Sequence, residues 1–583
     1  MQQNSLNETI RQSTQNEAPL QSVDWQISGG KVLNVYTQSF EDTTLWIKGR
    51  RIIAVGSNQP FTANQTVDAQ GQYIVPGFID AHMHIESSLL TPSQLGSVLL
   101  RHGVTSVVAD PHEIANVAGR PGIEYLLTDA KQTALDIFFM LPSTVPCAPF
   151  EHAGATLNAG DLSPLYHEAQ VHGLAEVMDY PALAHKNPDL LKKIQDAHQH
   201  HLPADGHLAG LHGHELLPYQ QAGIRSDHEA TTPAELLERV QAGFYVYLRE
   251  GTVERDLCNL LPAVTPTISQ RLAFCTDDKT VTDLLSEGSI DANLRLAMAH
   301  GLTPELAYTM ASFNAAQGEQ LNDRGALTPG QIADFVIVSD LKTVNIQRVM
   351  KAGTWVATGT VPADKTVSVK PYTLTHIHQH LQASDLALPL SSSQVHVIGV
   401  DPNHIAAQHL IRQVSLAGGQ FVWQPQTDIM KIASIERHHN TGNVGVALVS
   451  GFKLERGAFA SSVGHDSHNL IVTGTNDVDI QRAIEAITKA DGGLAVVDGE
   501  HIEVLPLPVG GLMSDLPAEQ TARQLTALHQ AFHKIAPSVK FDPFITLSFL
   551  SLPVIPSLKI TDQGLYDFET GTFIPVSVVN HDR

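Results

Sequence analysis

Between residues 76 and 322 the chain repeats one pattern eight times: a short apolar run that closes on a polar ending, often followed by a helical stretch. The runs are FIDAHMH, VTSVVADPHE, LDIFFMLPS, GLAEVMDY, LPADGHL, GIRSDHE, FYVYLRE and RLAFCTDD, and segments such as PAELLERVQAG lie between several of them. Strand–helix alternation requires a parallel sheet, because each helix carries the chain back to begin the next strand at the same end. Eight such units in roughly 250 residues are what a (β/α)8, TIM-like barrel takes.

The endings of the runs carry the chemistry. Nearly all close on His, Asp, Glu or Arg, and a barrel gathers the C-terminal ends of its strands at one face. His82, His84, Glu176, His207, His228 and Asp277 therefore converge although they are far apart in sequence. His82 and His84, two apart in a strand, point to the same side. Histidine and carboxylate ligands without thiolates suit Zn, Mn or Fe. Two cations close together repel, so a shared anion between them is favourable, and Glu176 at the fourth strand end can supply it. His212 and His214 compete with His207 for the fifth position. Asp277 and Asp278 both close the eighth run. One of them can touch a metal and accept a proton from bound water, and Asp277 is preferred.

On either side the pattern changes. Residues 24–75 and 323–385 consist of short β-like runs with turn signals, such as DTTLWIKGRRIIAVG and GALTPGQIADFVIVSDL. They read as one small all-β domain split by the barrel (76–322). From 386 to 583, runs such as QVHVIGVD and VGVALVSGF alternate with DIQRAIEAITKA, where Ile480, Ala483, Ile484 and Ile487 recur at helical spacing after Asn476 and Asp477. This is a C-terminal α+β domain. Residues 1–23 are polar, lack the basic start and apolar core of a signal peptide, and read as a disordered tail.

Composition excludes several classes. A formal net charge of −24 argues against nucleic acid and against an anionic membrane surface. No apolar run is long enough to span a bilayer. The 3 cysteines, Cys147, Cys258 and Cys275, are widely spaced and fit a reducing cytoplasm. The phosphate-binding Gly-rich motifs, HExxH and GxSxG are all lacking.

PGFIDAHMH after a small β unit, then Glu, His, His and Asp at later strand ends, then TPGQIADFVIVSD, together resemble the amidohydrolase superfamily. More specific segments are HMHIESS, DPHEIANV, SDHEATTPAEL, YLREGT and CTDDK, with ERHHNTGNVGVALVSGF and SSVGHDSHNLIVTGTN in the third unit. These are similar to the bacterial adenine deaminases over roughly residues 24–583. The resemblance implies a divalent metal centre, two ions per subunit, with Mn or Fe favoured over Zn. It also implies hydrolysis of adenine to hypoxanthine and ammonia in purine salvage, by a cytoplasmic homo-oligomer. Many relatives bridge the metals with a carboxylated lysine; here Glu176 takes that place.

Asp277 is then the carrier of the hydroxide proton. Glu86 is a candidate donor to the ring, or an ordinary loop glutamate, since Gly210 stands where another deaminase branch has a Glu. His112 either binds substrate or polarises the base; Asp278 is assigned to substrate; Arg249 either orients substrate or pairs with Glu250. The segment GHDSHN (His465, Asp466, His468) is a cap over the site, a second metal site or a solvated turn. The rival readings are a cyclic amidase on the same barrel and a non-catalytic scaffold.

Overall fold

A computed structural model describes residues 21–356 and 381–578. Most of the expected N-terminal tail lies outside the described residues, but its last positions are strand: β1 begins at Gln21. β1 (Gln21–Asn34), β2 (Ser39–Lys48), β3 (Arg51–Val55), β4 (Phe61–Asp68) and β5 (Tyr73–Pro76) open the fold.

Eight parallel strands follow: β6 (Phe78–Met83), β7 (Val104–Ala109), β8 (Asp136–Leu141), β9 (Val171–Val177), β10 (Ala204–Gly206), β11 (Ser226–Asp227), β12 (Tyr245–Arg249) and β13 (Leu272–Cys275). Seven fall within one of the eight apolar runs, and β9 overlaps its run but starts two residues earlier, at Val171. β6 to β10 form one parallel sheet and β11 to β13 another. A parallel bridge between Met83 and Asp277 ties the end of β13 to the end of β6, and β10 and β11 are in contact. β6, β7 and β13 are buried along their whole length, as strands covered on both faces must be, which is why they read as continuous apolar runs. The intervening helices start where the sequence says they should. Pro233–Gln241, for example, opens with Pro at its first turn and a reciprocal Thr232–Glu235 capping box.

β14 (Phe335–Val338), β15 (Ile346–Lys351) and β16 (Thr354–Val356) then return to the first sheet. β14 pairs antiparallel with β5, so segments more than 250 residues apart share the order β16-β15-β14-β5-β1-β2-β3, with β4 on β1. Ile27, Ile47, Ile74, Phe335 and Ile337 form their common core. Lys351 and Arg324 fasten this sheet to the start of β8: both donate to Asp136 Oδ2 at 2.6 Å.

The C-terminal part is built on an eight-stranded sheet. It is antiparallel except where Gln394–Val400 runs parallel to Val444–Ser450. The helix Asp477–Lys489 buries Ile480, Ala483, Ile484 and Ile487, and Asn476 caps it by accepting from the Asp479 N–H. A second helix, Ala518–Ile535, lies against the barrel helices Pro92–Arg101 and Val281–Ser286. Arg101 pairs with Glu519 there at 2.8 Å, and the apolar core is continuous from one part to the other. No helix among the described residues is long and apolar enough to cross a membrane.

Candidate metal centre

The six expected donors stand at the ends of β6, β9, β10, β11 and β13, and the fold brings them together. Nε2 of His82 and Nε2 of His84 face each other at 3.2 Å. Asp277 Oδ1 is 3.4 Å from His82 Nε2 and 3.0 Å from His84 Nε2. Glu176 reaches both sides: Oε1 is 3.5 Å from His84 Nε2, and Oε2 is 2.7 Å from His207 Nδ1 and 3.3 Å from His228 Nε2. The rings of His82 and His228 stack with centroids 3.9 Å apart. His212 is exposed and pairs instead with Glu238, leaving His207 as the fifth-strand member of the group.

Backbone geometry aims these groups. Asp277 lies in the left-handed region at φ 56°, which Asp tolerates better than most residues. Its N–H donates to the His82 carbonyl at 3.0 Å. Asp110, at the end of β7, accepts from the Glu176 N–H at 3.1 Å. The carbonyl of Asp110 also lies 3.4 Å from His84 Nδ1, fixing that ring from behind.

Electrostatics fit a divalent cation. Two imidazole nitrogens at 3.2 Å cannot both donate, and carboxylates are acceptors only. His207 also keeps a buried Nε2 with no partner. Glu176, Glu229, Asp277 and Asp278 are all buried, with Arg249 as the fixed positive charge among them. Burial works to raise the Glu176 carboxyl, but His207 and His228 hold it well below the ordinary range. Burial likewise opposes the charge on Asp277, which bonds from His82 and His84 keep low. Burial and the neighbouring His228 lower His82 to about 4, whereas the surrounding carboxylates outweigh burial and raise His84, His207 and His228. The groups His82–His228–Asp277, His82–His84–Glu176 and Glu176–His207–His228 each offer three ligand atoms within 4.8 Å of one another.

The surroundings differ from the sequence reading at four residues. Arg249 does not pair with Glu250. Its guanidinium bonds Glu229, Asp256 and Asp277 Oδ2, the last at 2.8 Å, so it holds the Asp277 oxygen that does not face His82 and His84. Glu86 is buried behind the site, where Oε1 accepts from the Ile114 N–H at 3.2 Å. Glu113, not singled out from sequence, lines the cavity, with Oε2 buried and unpartnered; burial pushes its carboxyl up to about 8. Glu229 was also missed, although its place directly after His228 was the available signal. It lies 3.4 Å from His228 Nε2.

His112 sits between the donors and the C-terminal loop, 3.8 Å from Glu176 Oε1 and 4.0 Å from Asp466 Oδ1. Asp278 accepts from Ser87 Oγ. The GHDSHN segment is buried against its own barrel: His465, Asp466 and His468 are each at most 5% exposed, which rules out a solvated turn. Met178, Ile405, Phe549 and Leu552 add an apolar wall to a cavity of about 40 Å3. A cleft of about 700 Å3 adjoins it, with Met178 and His207 common to both linings.

Residues 73–356 match the model of the amidohydrolase family, and residues 404–572 match the adenine deaminase C-terminal domain. An adenine deaminase of Lactiplantibacillus plantarum is 52% identical over 96% of this chain and 99% of its own length. One from Listeria innocua is 47% identical over 95% of this chain and 96% of its own. Among solved structures, N-acetyl-D-glucosamine-6-phosphate deacetylase from Mycobacterium smegmatis aligns with a TM-score of 0.44 at 21% identity, covering 57% of this chain and 100% of that one. The full-length likeness at about half identity shows the family: this chain belongs to the adenine deaminases of the amidohydrolase superfamily.

Proposed function

We propose that the chain hydrolyses adenine to hypoxanthine and ammonia at the centre formed by His82, His84, Glu176, His207, His228 and Asp277. The convergence of these six donors from separate strand ends is the observation that carries the reading. The names of the full-length relatives give the substrate. The scaffold is read as a closed (β/α)8 barrel over 76–322, with a split β domain (24–75 and 323–385) and a C-terminal α+β domain (386–583). Support comes from the two parallel sheets and the Met83–Asp277 bridge. A homo-oligomer in the cytoplasm, where three unpaired cysteines are stable, belongs to the same reading.

The six side chains would hold two divalent ions, Mn or Fe preferred and Zn the alternative, with Glu176 shared between them. Bound there, such ions lower the pKa of water so that hydroxide is available at neutral pH. The protein's own groups do the rest. Asp277, clamped by Arg249, takes the proton of the nucleophile and passes it to the leaving amino group. Glu113, protonated because it is buried, donates to the ring nitrogen beside the attacked carbon, a role in which Glu86, bonded to the Ile114 N–H, supports it. His112 and Asp278 contact the base. The apolar wall excludes bulk water, which strengthens each of these interactions.

Ammonia release and hypoxanthine formation, measured on protein reconstituted with Mn or Fe, test the proposal. Adenine left intact while a dihydropyrimidine is opened would assign the barrel to cyclic amides instead.

A further inference from the structure

Asp466 belongs to the C-terminal loop, yet it faces the cavity that holds the metal donors. The residue is 2% exposed. Its Oδ1 lies 3.7 Å from His465 Nδ1 and 4.0 Å from His112 Nε2, while Oδ2 is buried with no hydrogen-bond partner. Burial opposes its charge, but His465 and His112 together outweigh burial and hold the carboxyl below its ordinary value. A buried, ionised oxygen without a donor is costly and needs one from a ligand.

The loop is held in place for this. The His465 N–H donates to the Ser548 carbonyl at 3.1 Å, and the His465 carbonyl accepts from Ser551 Oγ at 3.1 Å. The Arg437 guanidinium bonds the His468 carbonyl. The His465 ring stacks on Phe549, centroids 4.9 Å apart. The cavity thus carries the metal donors, an aromatic wall at Phe549 and the Asp466 carboxylate, with the His112 ring between Asp466 and Glu176; Glu113 and Glu254 also line it.

We propose that Asp466 is a specificity-determining residue that accepts a hydrogen bond from the imidazole-ring N–H of the purine. This rests on the reading of adenine as substrate. A planar base whose six-membered ring meets the metal side turns its five-membered ring away, towards Asp466. Free adenine carries an N–H on that ring; a nucleoside or 9-alkyl purine has lost it at N9. A site built around such a bond rejects analogues that cannot make it by far more than a fit of shape does, because its own charge is left unpaired.

The experiment compares adenine with 9-methyladenine as substrates of the metal-loaded enzyme and of Asp466→Asn, with metal content and thermal midpoint measured alongside. Wild type should prefer adenine by about a thousandfold or more in kcat/KM. Asp466→Asn should lose about a hundredfold on adenine, with metal content unchanged, and change only a few-fold on 9-methyladenine, so that the preference collapses. Equal losses on both substrates, or undiminished turnover of adenine, would overturn the assignment. Should Asp466→Asn not fold, wild-type enzyme alone still tests it: 9-methyladenine turned over as well as adenine would refute the proposal. Wild-type enzyme that leaves adenine itself untouched refutes the substrate reading instead.

Discussion

Glu176 receives contacts from His84, His112, His207 and His228, more than any single hydrogen-bonding role needs. Glu176→Gln keeps the shape and removes the shared negative charge. It should lower kcat/KM for adenine by at least about a hundredfold and reduce bound metal, read by ammonia release and elemental analysis. Unchanged turnover would remove Glu176 from the centre. Arg249→Lys offers a point charge where a planar fork serves three carboxylates. The expected result is a fall in kcat of about ten- to a hundredfold with KM little altered, since Asp277 loses its clamp but the base keeps its contacts. That the six side chains meet was legible because the C-terminal ends of neighbouring parallel strands lie at one face whatever lies between them. Glu113 and the clamping role of Arg249 were not, because they depend on rotamers and on pairings across β11, β12 and β13 that no spacing encodes.

At the scale of elements, the join between β8 and β15 rests on a charge cluster. Burial works to raise Asp136, but Lys351 and Arg324 outweigh it and hold the carboxyl below its ordinary value. A depressed carboxylate stabilises the fold above its unfolded pKa of about 4, and that contribution is lost as pH falls through the lower folded value. Asp136→Asn should therefore lower the folding stability at pH 7 by about 1–3 kcal/mol once its 28% exposure is allowed for, read as a lower thermal midpoint. The deficit relative to wild type should shrink as the pH is lowered below about 4. A deficit independent of pH would mean that packing, not charge, is lost. All eight parallel strands were visible as apolar runs ending in polar residues. The extents were not: β10 and β11 shrink to Ala204–Gly206 and Ser226–Asp227, since strand length is set by which neighbours pair rather than by the run itself. The split β sheet was legible in outline from the matching styles of its two halves. The β5–β14 pairing that joins them is a contact at long range, which local sequence does not specify.

For the molecule as a whole, metal and stability are coupled. Like-charged carboxylates gathered at the ends of separate strands repel when the ions are gone, and a ligand bound only by the folded state raises its stability in proportion to ln(1 + [L]/Kd). Chelation should lower the thermal midpoint by several degrees, and Mn at about a thousand times Kd should return about 4 kcal/mol; a midpoint indifferent to chelator would contradict the coupling. The burial of GHDSHN against its own barrel could not be read from the sequence, where a cap, a metal site and a surface turn were equally compatible with Gly-flanked histidines. The most direct test of the central claim is anomalous diffraction at the manganese edge from crystals of the Mn-loaded protein. The account predicts two peaks within coordination distance of His82, His84, Glu176, His207, His228 and Asp277, with Glu176 touching both. Peaks elsewhere, or none at these residues in an enzyme that still deaminates adenine, would contradict it.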